Sequence, residues 1–147
     1  MRPHRSVSAT RVIPAAPHVI FDVLADPRRH AQFDGSGSVV AVKRAPERLY
    51  LGAQFAMSMR MGLRYLTTNR VSAFDEGRVI AWHHAARFVW RYELEPVDGA
   101  TRVTESFTYD PPWGVVVDWL GWAERNRRSM EASLERLAAL VAPSDER

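Results

Sequence analysis

Arg127 is the residue from which chemistry is first expected. It falls within residues 111–142, where Val116, Leu120, Ala123, Met130, Leu134, Leu137 and Val141 recur at steps of three, four and seven. That spacing lays them along one stripe of an α-helix, and Arg127 occupies the stripe's centre. A guanidinium offers five donors and never loses its charge. Inside a pocket it would anchor a ligand carboxylate, phenolate or enolate. The same position also suits a structural pair with Glu105 or Glu93, or a side chain that snorkels to a rim. Glu105 is the second candidate. It alternates with Val103, Phe107 and Tyr109 on one side of a predicted strand. A carboxylate among apolar neighbours is expensive unless paired or hydrogen-bonded. Desolvation raises its pKa toward neutrality, which suits a general base. Glu105 is thus either Arg127's partner or a proton-transfer group.

The other reactive residue types carry less. His83 and His84 are adjacent on a strand, so they face opposite sides and cannot share a metal. Either could line a pocket as an acid/base or sit on a surface edge. His4, His18 and His30 lack ligand spacing such as HExxH; at most, His30 stands near an entrance. No metal site is expected. Ser36 and Ser38 are not in a GxSxG elbow. The run Gly35-Ser36-Gly37-Ser38 precedes a strand rather than a helix, so it reads as a flexible turn and not a phosphate cradle or dinucleotide loop. No cofactor is expected. Met57, Met59 and Met61 alternate onto one strand face, which fits an adaptable pocket and a plain core equally.

The elements that must hold these groups follow in chain order. Residues 6–13 read as strand one. Two short helices follow at 18–25, with Pro17 in its first turn, and at 27–32, capped by Asp26. Strands are then predicted at 39–45, 54–61, 64–74, 78–84, 87–95 and 101–109, with turns at Gly52, Gly62, 75–77 and 96–99. Consecutive strands joined by tight turns make an antiparallel meander. Phe88, Trp90, Tyr92 and Leu94 share one face of the sixth strand, which makes an aromatic wall opposite the terminal helix. That helix starts at Pro111 and Pro112 and stops before Pro143. Trp113 and Trp119 read as packed at its start. Trp122 points further off the stripe, as a lid, a dimer contact or a membrane-touching residue.

The fold class expected is α+β. A seven-stranded antiparallel sheet curls around a long C-terminal helix, with two short helices between strands one and two. A curled sheet cannot close fully on one helix, and the space left is an apolar pocket. With 147 residues, the chain reads as a single domain, 1–147. There are no cysteines, which excludes disulfides and thiol catalysis. No run approaches the length of a membrane span, and MRPHRSVSAT lacks the apolar core of a signal peptide. A cytoplasmic location is expected. The net charge of +3 is carried by scattered arginines rather than one basic stripe, so no nucleic-acid partner is expected.

Three segments carry a family resemblance: PAAPHVIFDVLADPRRHAQFDGSGSV, WRYELEPVDGATRVTES and the terminal SMEASLERLAALV. Together they resemble the START-like (SRPBCC) superfamily, in particular its polyketide cyclase/dehydrase branch, over nearly the whole chain. The resemblance implies a helix-grip fold with a cavity between helix and sheet for lipids, polyketides, steroids or similar ligands. It implies no catalytic residue, because the family has no universal catalytic motif. The expected function is therefore binding of a small hydrophobic or amphipathic ligand. The expected lining is Arg127, Glu105, Trp90, Tyr92, Phe88, Tyr65, Leu120, Met130 and Trp113. One alternative is a cyclase or dehydratase in which Arg127, Glu105, Tyr65 or a histidine moves protons. The other is a regulatory protein-interaction domain using the tryptophan-rich helix start. Homodimer formation stays open.

Overall fold

A computed structural model of the chain describes residues 5–84, 88–109 and 119–142. Seven strands form one antiparallel sheet: β1 (Arg5–Ile13), β2 (Val39–Arg44), β3 (Gln54–Met61), β4 (Leu63–Asp75), β5 (Val79–His84), β6 (Phe88–Val97) and β7 (Ala100–Tyr109). Their spatial order is β1-β7-β6-β5-β4-β3-β2. The meander therefore runs from β2 to β7, and β1 returns to pair with β7 along its whole length. Irregular register between β2 and β3, and again at Val71/Ala73 between β4 and β5, adds the local twist that bends a sheet.

The predicted strand limits hold to within one residue, save at the end of β6. Strand β6 runs on to Val97, with Pro96 paired to Thr101, and the turn narrows to Asp98 and Gly99. Both take positive φ, 48° and 79°, as the hand of a two-residue hairpin turn requires. Proline is tolerated there because it sits at the strand's end.

The connection from β1 to β2 holds the two short helices. Helix α1 (Pro17–Leu24) starts on Pro17 and buries Ile20, Phe21, Val23 and Leu24. The second predicted helix is divided. Pro27–Arg29 forms a 3-10 turn whose first free amide, Arg28 N–H, donates to the Asp26 carboxylate at 3.0 Å, and α2 (His30–Phe33) follows. Helix α3 (Trp119–Val141) is the long terminal helix. The predicted start at Pro111 and stop at Pro143 lie outside the described residues.

Helix α3 packs mainly on β1 at one margin of the sheet, with α1 and α2 beside it, and only lightly on β7. Leu134 and Leu137 are fully buried there with Ile13, Phe21 and Val103. Each such side chain contributes roughly 1.5–3 kcal/mol on leaving water. The core thus gathers under the β1 side. The middle strands, β3 to β6, present their inner faces to a space the helix does not fill.

Candidate functional site

That space is a cavity of about 430 Å³, within the range of small-molecule sites. Strand alternation supplies its wall. Phe55, Met57 and Met59 come from β3, and Tyr65, Thr67 and Asn69 from β4. Trp82 and His84 come from β5, Phe88, Trp90 and Tyr92 from β6, and Glu105 and Phe107 from β7. On the opposite side, α3 offers Arg125, Asn126, Ser129, Met130 and Ser133, and α2 offers His30 and Phe33. The lining is mostly aromatic rings and thioethers. Several rings are stacked: His30 on Trp82 at 4.9 Å, Trp82 on Tyr92 at 5.8 Å, and Trp90 tilted on Phe107 at 4.2 Å. Such contacts add to area burial and hold the rings in place.

Glu105 is 3% exposed and sits directly across from Tyr92 in the register. Its side chain is hydrogen-bonded to Tyr92. Its other oxygen, Oε2, is buried with no hydrogen-bond partner among the described residues. Burial pushes the carboxyl up from 4.5 to about 8, and the charge on nearby Asp34 adds to the rise. The Tyr92 hydrogen bond opposes it. Burial likewise pushes the Tyr92 phenol well above its usual value, helped by Glu105. At neutral pH the pair is therefore mostly uncharged, the usual response of an acid removed from water.

His30 is buried, and its Nε2–H donates to the Leu24 carbonyl at 2.9 Å. That acceptor fixes the proton on Nε2 and leaves Nδ1 bare. Burial lowers the ring to about 4 against the raising effects of Leu24, Asp26 and Asp34, so it is neutral near pH 7. His84, stacked on Phe88 at 5.0 Å, is also held below its usual value, by burial and by His83.

The loop after α2 is pinned rather than loose. Val39 N–H and the Ser36 hydroxyl and amide donate to the Asp34 carboxylate at 2.8 to 3.2 Å. Gly35 N–H donates to Ser133 Oγ at 2.7 Å, and Arg136 donates to the Asp34 carbonyl at 2.6 Å. A Cβ on Gly35 would lie 2.2 Å from the Ser129 carbonyl oxygen. The first glycine of the GSGS run is thus a seat for α3, not a mobile turn.

Arg127 overturns the leading sequence expectation. Its side chain is 49% exposed and pairs with Glu124 one turn earlier; it does not line the cavity. Helix geometry explains the error. At ~100° per residue, Arg127 lies ~80° from the direction of fully buried Leu137, while Asn126 and Met130 lie only ~20° from it. The true inner face carries Asn126, Ser129 and Ser133 beside the apolar residues, and those polar residues displaced the centre of the apolar stripe. The guanidinium that does border the cavity is Arg125. It also lines an adjoining cleft with Gly35, Gly121, Glu124, Arg128 and Ser129. That cleft is more polar and faces solvent, so the apolar cavity is the better candidate site.

Glu105 consequently has Tyr92 for a partner, not Arg127, and Glu93, the other carboxylate considered for Arg127, pairs with Arg91. Phe88, Trp90, Tyr92, Tyr65 and Met130 all lie on the cavity wall. Trp113 lies outside the described residues, as do the side chains of Leu120, Trp119 and Trp122. Sequence reasoning placed His30 at most near an entrance, and it missed Phe33, Trp82 and the α3 serines. Trp82 was recoverable, since it alternates with His84 on β5. Phe33 was not, because only the tertiary fold turns α2 inward. Among the described residues no His, Asp and Glu side chains cluster to hold a metal ion, and no helix is long and apolar enough to cross a membrane.

Residues 4–142 match the family described as polyketide cyclase / dehydrase and lipid transport. The chain is 34% identical over 139 residues to Uncharacterized protein Rv0088 of Mycobacterium tuberculosis, covering 90% of this chain and 62% of that one. It thus spans about three-fifths of the length of the curated relatives it matches. Among solved structures, the fold resembles ginseng major latex-like protein 151 from Panax ginseng (TM-score 0.73, 12% identity, 95% and 99% of the two chains covered). It also resembles TTHA0849 from Thermus thermophilus (TM-score 0.72, 17% identity, 97% and 100% covered). At these identities the likeness concerns the fold.

Proposed function

The chain belongs to the polyketide cyclase/dehydrase and lipid transport family, and we propose that it binds a small hydrophobic or amphipathic molecule in the cavity between α3 and the sheet. One observation carries the reading: a hollow of about 430 Å³ walled by rings and thioethers where a domain core would ordinarily be close-packed. Trp82 and Trp90 on that wall supply the test. A titration with N-phenylnaphthylamine is expected to saturate, with energy transfer from the tryptophans, and to reverse on addition of a fatty acid or alcohol. A signal that rises linearly and is not displaced would sink the reading.

A cyclase or dehydratase is the second reading, favoured by the Glu105–Tyr92 pair. A carboxyl with a pKa of about 8 holds a proton near neutral pH that it can give to a departing oxygen, and the carboxylate so formed can take one from carbon. This reading expects turnover of a poly-β-ketone mimic that Glu105→Gln abolishes. Turnover equal in both proteins would remove Glu105 from the chemistry.

A further inference from the structure

The polar groups of the cavity differ between its interior and its rim. Inside, Glu105 keeps one oxygen on Tyr92 and one without a partner among the described residues. The Nε2–H of His30 is committed to Leu24, and the Asp34 carboxylate to Ser36 and Val39. Of the described residues on the wall, Arg125 is the one lysine or arginine, and it is exposed where the cavity adjoins the solvent-facing cleft. A ligand carboxylate driven inward would meet Glu105 and Asp34 and, among the described residues, no cation. An uncharged oxygen would instead complete the hydrogen bonding that Glu105 lacks, because a protonated carboxyl both donates and accepts. Burial holds Glu105 in that protonated form up to about pH 8.

The geometry points to a ligand with two unlike ends: a hydroxyl or ketone oxygen held inside by Glu105 and Tyr92, and an anionic group held at the rim by Arg125. This rests on the binding reading above and specifies which amphiphiles that site selects. It also reverses the orientation expected from the sequence, in which a buried arginine would draw the acidic end inward.

Displacement of N-phenylnaphthylamine at neutral pH by three acids of one chain length separates the possibilities. The acids are dodecanoate, its ω-hydroxy derivative and dodecanedioate. The ω-hydroxy acid is expected to bind about tenfold tighter than dodecanoate, the worth of one buried hydrogen bond. The diacid is expected to bind roughly a hundredfold weaker than the ω-hydroxy acid, because one carboxylate must be desolvated. Glu105→Leu should erase the hydroxyl preference, while Glu105→Gln, which keeps a donor and an acceptor, should retain most of it. Arg125→Gln, on the exposed rim, should weaken the ω-hydroxy acid several-fold and leave dodecanol unchanged. Equal affinity for the ω-hydroxy acid and the diacid, or a hydroxyl preference that survives Glu105→Leu, overturns the two-ended ligand while leaving a hydrophobic site intact. Failure of dodecanol and all three acids to displace the probe would overturn the binding reading with it.

Discussion

A carboxyl that stays protonated in the folded chain leaves a signature in stability. Glu105 ionises near 4.5 when exposed and near 8 when folded. Between those limits the folded state holds a proton that the unfolded state has lost, so stability falls as pH rises through the window. In full this amounts to roughly 4–5 kcal/mol. His30 acts oppositely. Its ring takes a proton near 6.5 when exposed but only near 4 when folded, so stability falls as pH drops below 6.5. From 4.5 to 6.5 the two trends offset each other. Above 6.5 the Glu105 loss dominates, with Tyr92 and Asp34 the groups that face it, while the His30 contribution fades as its unfolded-state proton is lost by about pH 7.5. Urea unfolding should therefore show a net fall of about 1 kcal/mol between pH 6.5 and 8, and Glu105→Gln should remove it. A fall of the same size in the variant would mean that Glu105 is not the source. Glu105 itself was legible from the alternation of β7, because a carboxylate in an apolar register needs no tertiary knowledge to stand out. Its partner was not, since strand register and helix rotation decide which side chain arrives opposite.

The elements were read more reliably than the contacts between them, for a physical reason. Strand periodicity and turn residues are local, and they placed all seven strands. The face of α3 is set by what packs on it. Asn126, Ser129 and Ser133 sit inward because the loop after α2 lays Gly35 against the helix backbone, and no hydrophobic pattern encodes that. Gly35 thereby becomes the most constrained glycine of the described chain. A Cβ there would approach the Ser129 carbonyl oxygen to 2.2 Å and the Ser133 amide nitrogen to 2.5 Å. Both are backbone atoms that cannot swing aside. Gly35→Ala should cost about 2–3 kcal/mol, in the range of overpacked cores. Gly37→Ala is the control. Nothing lies within 4 Å of its Cβ, and only its φ of 73° opposes the change, worth about 1 kcal/mol. Equal losses for the two in denaturant unfolding would show that α3 is not seated on the loop.

At the scale of the molecule, the hollow is itself the argument. A chain selected only for stability would fill the room between β3–β6 and α3, because close packing gains dispersion contacts that an unfilled cavity forgoes. Here the wall carries flexible methionines, polar side chains and a buried carboxyl oxygen with no partner among the described residues. Each is a concession in stability that ligand binding would explain. Met59 offers the direct test. It is half-buried on β3 opposite Tyr65 and borders the cavity. Met59→Trp would place an indole in the space without displacing the core under β1. The melting temperature should hold or rise by a few degrees, the equivalent of about 1 kcal/mol. Affinity for N-phenylnaphthylamine and for the ω-hydroxy acid should fall tenfold or more. A stabilised variant that binds both as well as the parent would place the ligand elsewhere, since one volume cannot hold an indole and an acyl chain together.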